Sequence, residues 1–202
     1  MRYLLQGIRG RLQRRGRDRS GQALVEFSFT AVVLILLLFG MIDFAIAIYY
    51  RQVMINVSRE GSNLAARGAG STQDEALSNA LDQVVRSAYP LTITNADATG
   101  RGMGRVIISA VRRDTQSGPL RYLVTSQCAK GGLSSTDAPS KVGPNGVGRI
   151  GLGNLPITSP QIPAGHSTLY VTEVYYRFKP ASPLGKLVGF VMTNQLYDVA
   201  YF

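Results

Sequence analysis

Residues 27–42 read FSFTAVVLILLLFGMI and contain no charged side chain, and after Asp43 the chain stays apolar as far as Tyr50. A helix needs about 20 mostly apolar residues to cross the hydrocarbon core of a membrane, and residues 27–50 provide 24 with a single carboxylate. The stretch is apolar around its whole circumference and not along one stripe, which favours lipid as its surroundings. We therefore predict a membrane-anchoring helix.

The charges that precede this stretch predict its orientation. Residues 1–20 contain seven arginines and one acid, Asp18, so they carry +6 of the chain's formal net charge of +10. Because basic flanks stay on the cytoplasmic side of a membrane, we expect the N-terminus inside and the C-terminal part of the chain outside. An arginine run without interleaved aromatic residues is better explained by this orientation than by nucleic acid, which we do not expect as a partner.

Two carboxylates bracket the apolar stretch. Glu26 and Asp43 are 17 positions apart, which corresponds to about 25 Å along a helix, and the hydrocarbon core is about 30 Å thick. Asp43 is therefore expected as an interfacial residue at the outer boundary of the bilayer. Glu26 directly precedes the apolar residues, where a carboxylate that enters hydrocarbon costs about 2.5–3.5 kcal/mol. We therefore expect Glu26 to have a function.

Three segments of the chain resemble one protein family. Residues 21–27, GQALVEF, are similar to the prepilin peptidase site of the tight-adherence (type IVc) pilus system, in which a glycine and four residues precede a glutamate and an aromatic residue. Residues 39–44, FGMIDF, resemble the end of the apolar helix in TadE-like minor pilins. Residues 171–180, with the Pro-Leu pair at 183–184, resemble the strand and proline-rich bend that precede the last strand of that family.

The resemblance implies that a membrane prepilin peptidase cuts between Gly21 and Gln22. Glycine suits this position because it places no side chain in the way of a protease. Glu26 would become the fifth residue of the mature chain, and the resemblance gives it an assembly role together with Phe27, which replaces the tyrosine common in major pilins of this system. We hypothesise that the Glu26 carboxylate pairs with the freed α-amino group of a neighbouring subunit.

The implied function is that of a minor pilin-like structural subunit of a tight-adherence pilus, with a role in assembly, initiation or tip formation that supports adhesion and biofilm formation. The implied partners are other pilin and minor pilin subunits, the prepilin peptidase, the inner-membrane assembly platform and membrane lipid. The chain would span the bacterial inner membrane once, with its C-terminal domain in the periplasm, and would enter the extracellular pilus after assembly.

Two alternatives need no pilus. One is an uncleaved single-pass anchor that presents a periplasmic binding or sensing domain. The other is release by signal peptidase, since Ala45-Ile46-Ala47 has the small-x-small form of its cleavage site. However, the apolar stretch exceeds the roughly 7–15 residues that are usual in a signal peptide.

The hydrophobic pattern predicts an α+β, pilin-like fold. We divide the chain into an Arg-rich leader (1–21), a transmembrane or assembly helix (22–50), its outward extension (51–70) and an extracytoplasmic domain (71–202). The domain is expected to begin with a helix that Ser71 or Thr72 caps, with Asp74 and Glu75 in a capping box, and that ends at Tyr89-Pro90. An antiparallel sheet follows, with strands predicted at 105–113, 120–126, 169–178 and 195–202.

Residues 127–165 contain eight glycines and five prolines among 39 residues. This content predicts an insertion without regular secondary structure, either a mobile surface loop or a segment that a partner subunit orders. Residues 146–151, GVGRIG, match GxGxxG by letter, but no predicted strand precedes them, and Gly153 and Pro156 prevent a helix behind them. We therefore reject a nucleotide-binding loop here.

The composition gives little support to an enzyme, and we expect no cofactor and no metal. The chain has one histidine, His166, and one cysteine, Cys128, so a zinc site built from several His and Cys ligands cannot form within it. No GxSxG motif is present. Cys128 has no intramolecular disulfide partner; burial is the favoured interpretation, and a disulfide between subunits is the alternative.

Overall fold

The computed structural model describes residues 2–68, 70, 72–95, 102–114, 121–143, 148–151, 168–182 and 195–202. These ranges contain two helices followed by a five-stranded sheet, which confirms the predicted α+β class with a long N-terminal helix. The elements are α1 (Arg2–Arg67), α2 (Gln73–Ser87), β1 (Gly104–Asp114), β2 (Arg121–Gly131), β3 (Gly148–Gly151), β4 (Thr168–Arg177) and β5 (Gln195–Tyr201).

The sheet is antiparallel throughout and has the order β3-β2-β1-β4-β5. The predicted strands and the predicted pairing of β1 with β2 are confirmed. β4 lies between β1 and β5, and its residues 171–176 are buried on both faces of the sheet.

The prediction that residues 127–165 form no regular structure is wrong in two places. β2 continues through residues 127–131, which pair with β1, and β3 pairs with the outer edge of β2. Residues 127–131 contain no proline, so every backbone N–H can join the ladder, and the neighbouring strand supplies the order that local propensity does not. Residues 148–151 of the GxGxxG match thus lie in a strand.

The segment 133–143 also contradicts the interpretation of this region as a mobile surface loop. Leu133, Ala138 and Val142 are buried against the face of the sheet opposite the helices, beside Ile107 and Val171. Burying such side chains stabilises the fold by about 1.5–3 kcal/mol for each large one. The segment is therefore a second cover of the sheet.

The second helix forms as predicted. Thr72 is its N-cap and accepts a hydrogen bond from the backbone N–H of Glu75 at 3.3 Å. Asp74, expected in the capping box, accepts a hydrogen bond from the Ser126 hydroxyl on β2. The apolar face of α2 packs into the main core between the helices and the sheet; its buried members are Leu77, Ala80, Leu81 and Val84, and the C-cap Ala88 is buried beside them.

The helix α1 has two different surroundings along its length. In residues 24–42 nearly every side chain is exposed in the single chain, and the helix from Gly21 to Arg67 is long and apolar enough to cross a membrane by length and composition. This supports a membrane anchor. From Asp43 onward one stripe is buried against the domain, at spacings of three and four residues, and consists of Asp43, Ala47, Met54, Val57, Ser58, Gly61, Ser62 and Ala65.

α1 ends at Arg67, within the predicted extension 51–70. The helix shows no interruption at residue 50, so the division between a transmembrane part and its extension stays a prediction about the position of the membrane.

α1 packs closely against the sheet at Gly61. A Cβ atom at this position would lie 2.7 Å from Cγ2 of Thr172 on β4, whereas a Cβ at Gly40 would meet nothing within 4 Å. Thr172 is buried at the centre of the sheet, so it has little room to move.

We therefore predict that Gly61→Val lowers the free energy of unfolding of the domain by about 1–3 kcal/mol, because it overpacks this contact. Urea unfolding in detergent micelles, followed by pulse proteolysis, measures the change. Gly40→Val is the matched control and is expected to leave the midpoint unchanged; equal midpoints for both variants would contradict the close packing.

Candidate processing and assembly site on the N-terminal helix

The predicted cleavage position lies within the continuous helix α1. Gly21 and Gln22 are exposed, and a Cβ atom at Gly21 would meet nothing within 4 Å. Access to the bond between them is therefore open, but the scissile backbone of a protease substrate must be extended, so cleavage requires α1 to unwind locally. Glycine lowers the cost of this step, since it is about 0.5–1 kcal/mol less favourable in a helix than alanine.

The Glu26 carboxylate is directed towards residue 22. The side-chain amide of Gln22 donates a hydrogen bond to Glu26 Oε1 at 3.0 Å. This follows from helix geometry, because side chains lean towards the N-terminus and residues four apart lie on one face. Cleavage after Gly21 would turn the backbone nitrogen of the same Gln22 into an α-amino group. Phe27, beside Glu26, is 73% exposed and therefore free for contacts with lipid or another subunit.

The two hydroxyl groups near Glu26 are satisfied within the helix. Ser28 donates to the carbonyl of Leu24 at 2.8 Å, and Thr30 donates to the carbonyl of Glu26 at 3.0 Å. Such bonds to the preceding turn allow small polar residues to enter an apolar medium. Neither hydroxyl therefore adds an unpaired polar group to the apolar stretch.

Asp43 has a partner that the sequence did not reveal. Its side chain is fully buried, and Oδ1 accepts hydrogen bonds at 2.9 Å from the backbone N–H groups of both Ala181 and Ser182. The Ser182 hydroxyl donates to Oδ2. The carboxylate thus fixes the bend after β4 to α1, and its predicted place at the bilayer boundary stays a prediction. No sequence signal connects residues 138 positions apart.

Two further contacts continue this attachment along α1. The ring of Tyr50 lies 5.4 Å from that of Tyr176 and 6.1 Å from that of Phe178, between centroids. About two turns beyond Tyr50, the Ser58 hydroxyl donates to Asp198 Oδ2 on β5 at 2.5 Å. Ser62 donates to the carbonyl of Ala200 at 2.9 Å. These contacts hold α1 on the two strands at one edge of the sheet.

A buried glutamate in the domain is also fully engaged. Glu173 on β4 accepts hydrogen bonds from the Ser140 hydroxyl at 2.5 Å, the Lys141 backbone N–H at 2.8 Å and the Tyr197 hydroxyl at 3.0 Å. Burial, and next the charge of Glu173, raise the pKa of Tyr197 above its ordinary value. The carboxylate holds the segment 133–143 on the sheet, and its donors explain why that segment is ordered.

The other residues singled out in the sequence are Cys128 and His166. Cys128 is half-buried and packs against the main core, and burial, followed by the charge of Asp74, raises the pKa of its thiol to about 12. His166 lies outside the described residues. Within the part of the chain that the structure describes, no three His, Cys, Asp or Glu side chains are grouped so as to hold a metal ion.

We predict that Asp43→Ala speeds hydrogen exchange of the Ala181 and Ser182 amides by about 10- to 150-fold, because it removes hydrogen bonds to a charged acceptor that are worth about 1.5–3 kcal/mol. Asp43→Asn retains one acceptor oxygen and should give an intermediate rate. Glu26→Ala removes an exposed carboxylate from the same helix and should change neither amide. Wild-type exchange in Asp43→Ala would disprove the attachment.

A comparison with known protein families matches the same part of the chain that contains Gly21, Glu26 and Asp43. The model of the TadE family, described as TadE-like protein, matches residues 21–63. No curated protein and no solved structure matches the chain. The matched segment begins at Gly21 and contains Glu26 and Asp43. It ends at residue 63, in the part of α1 that packs against the sheet. This confirms the resemblance to TadE-like proteins. Residues 21–63 of this chain are therefore similar to TadE-like proteins.

Proposed function

We propose that the chain is a minor pilin-like structural subunit of a tight-adherence pilus, which a prepilin peptidase processes between Gly21 and Gln22. The observation that carries the proposal is the direction of the Glu26 carboxylate, which lies beside the residue whose nitrogen cleavage would convert into a charged amine. A minor subunit of this kind takes part in assembly, initiation or tip formation and so supports adhesion.

The apolar part of α1 supports both stages of such a function. Before assembly, the exposed side chains of residues 24–42 are in contact with lipid. After assembly, the same surface packs against the corresponding helices of neighbouring subunits. In both surroundings the helix has no unpaired backbone group in its interior, which is the condition for a segment that moves between lipid and protein.

Glu26 supplies the specific part of this packing. An α-amino group and a carboxylate about 4 Å apart attract by about 4 kcal/mol at an effective dielectric constant near 20, before the cost of desolvation is subtracted. Apolar helices can slide along each other with little change in energy. One charge pair per contact therefore sets their register.

The remaining features fit a structural subunit and not an enzyme. The buried carboxylates Asp43 and Glu173 are occupied by donors from their own chain, so neither is free to act on a substrate. The expected partners are other pilin subunits, the peptidase, the inner-membrane assembly platform and lipid. The domain would lie in the periplasm before assembly and in the extracellular pilus afterwards.

We predict that mass spectrometry of the mature protein from envelopes and sheared pili finds Gln22 as its N-terminus. Blocking the peptidase should restore the leader and retain the protein in the membrane. An intact leader in producing cells would instead indicate an uncleaved anchor with a periplasmic binding or sensing domain. A soluble product that begins at Ile48 would indicate cleavage by signal peptidase.

We further predict that Glu26→Gln leaves cleavage intact and lowers the amount of the subunit in sheared pili by about tenfold or more, since a lost register of even 1.4 kcal/mol corresponds to a factor of 10. Glu60→Gln, which neutralises an exposed acid farther along α1, is the matched control and should assemble normally. Wild-type incorporation of Glu26→Gln would refute the role of the carboxylate.

A further inference from the structure

The folded domain begins where the exposed apolar part of α1 ends. Residues 24–42 are 19 positions long, which gives about 28 Å of helix against a hydrocarbon core of about 30 Å. The next residue, Asp43, is already buried and holds Ala181 and Ser182. The helix therefore leaves no exposed spacer between the apolar stretch and the domain.

Contacts within the domain show which parts lie at this level. β4 ends at Arg177 and leads into the bend that Asp43 holds. Gly104 pairs with Tyr176 on β4, and Gly132 donates to the carbonyl of Ile93 at 3.0 Å. We call residues 88–93 and 177–182, together with Asp43, Tyr49 and Arg51 of α1 and with Asp137 beside Arg177, the Asp43 end of the domain.

The side chains exposed at the Asp43 end are those that favour a membrane interface. Tyr89 is 88% exposed, and Tyr49 on α1 is 53% exposed. Tyrosine is enriched at the level of lipid headgroups, because its ring is apolar and its hydroxyl stays hydrated. A single exposed aromatic side chain is also common on surfaces that face water, so the inference depends on Tyr89 and Tyr49 together with the basic residues beside them.

The charges at the Asp43 end have the sign that complements lipid phosphates. Lys179 and Arg51 are exposed and have no ion pair among the described residues. The acids there have partners: Asp43 is buried on the bend, and an Asp137 oxygen lies 3.8 Å from a guanidinium nitrogen of Arg177. Each basic residue near an anionic membrane surface contributes about 1 kcal/mol of attraction.

We propose that the Asp43 end of the domain rests on the outer leaflet of the membrane, with Lys179 and Arg51 on lipid phosphates and with Tyr49 and Tyr89 among the headgroups. The lipid surface thereby orients the domain about α1 before assembly. This contact requires insertion of α1 but neither processing nor polymerisation, so it can fail while the proposed function holds, and the reverse.

The proposal is tested with the full chain in vesicles of phosphatidylethanolamine and phosphatidylglycerol that contain a small fraction of nickel-chelating lipid. A nitroxide label is attached at Lys179→Cys, Tyr89→Cys or Arg112→Cys in a Cys128→Ser background. Arg112 is the control, since it is exposed on β1 eight residues beyond Gly104, about 26 Å away along the strand. We expect nickel at the headgroups to relax the labels at 179 and 89 several-fold more than the label at 112.

Further variants guard against misfolding of the labelled protein and test the role of the charges. If Cys128→Ser does not fold, the native cysteine can remain, because a thiol with a pKa of about 12 has almost no reactive thiolate at neutral pH. Lys179→Glu should lower the relaxation at position 89, whereas Arg112→Glu should not.

A label at Phe44→Cys reports insertion. Equal relaxation at 179, 89 and 112 beside an inserted Phe44 label would overturn the proposal and leave the anchor intact. A Phe44 label without lipid contact would overturn the anchor as well.

Discussion

The burial of the Asp43 carboxylate is the constraint on which the arrangement of this protein depends. A carboxylate removed from water costs several kcal/mol unless donors replace the lost hydration. Two of its three donors are backbone N–H groups at Ala181 and Ser182, which cannot move without the chain. A single side chain on the N-terminal helix therefore determines where the C-terminal bend lies, and through β4 it sets the height of the whole sheet along α1.

The buried stripe of α1 that follows Asp43 can then pack on the sheet in only one register. Gly61 admits Thr172 only at one register, because a shift of one turn would place a larger side chain against the strand. Ser58 and Ser62 reach Asp198 and Ala200 only at that same register. Polar bonds thus select the alignment, and the apolar members of the stripe supply most of the burial energy. The helix before Asp43 remains free of the domain and available to lipid or to other helices.

Much of the fold could be predicted because its signals are local. The end of α1 at Arg67, the cap at Thr72 and the strands of the sheet follow from residues within a few positions of each other. The ordered part of 127–165 could not be predicted in this way. Its high glycine and proline content describes local propensity correctly, but β1, β2 and Glu173 impose order from a distance.

The residues of the candidate site could also be predicted only where the signal lies in neighbouring positions of the sequence. Gly21, Gln22, Glu26 and Phe27 form a contiguous motif that any reader of the sequence can find, and the family match covers them. Asp43 could be identified as an isolated acid near the end of an apolar helix, which suggested an interfacial residue. Its true neighbours lie near the other end of the chain, and a pattern within one helix carries no information about them.

The two carboxylates that bracket the apolar stretch have opposite physical situations, which fits the proposal that one helix serves both folding and assembly. Both oxygens of Asp43 accept hydrogen bonds from its own chain, so this carboxylate has little to offer a second chain. Glu26 is exposed, and among the described residues the partner of its carboxylate is a neutral amide at 3.0 Å, a hydrogen bond that water can replace at little cost. A charged amine offers more than that amide, because a charge-assisted hydrogen bond is roughly twice as strong as a neutral one. Glu26, and not Asp43, is therefore the carboxylate that would gain a stronger hydrogen bond from contact with a second chain.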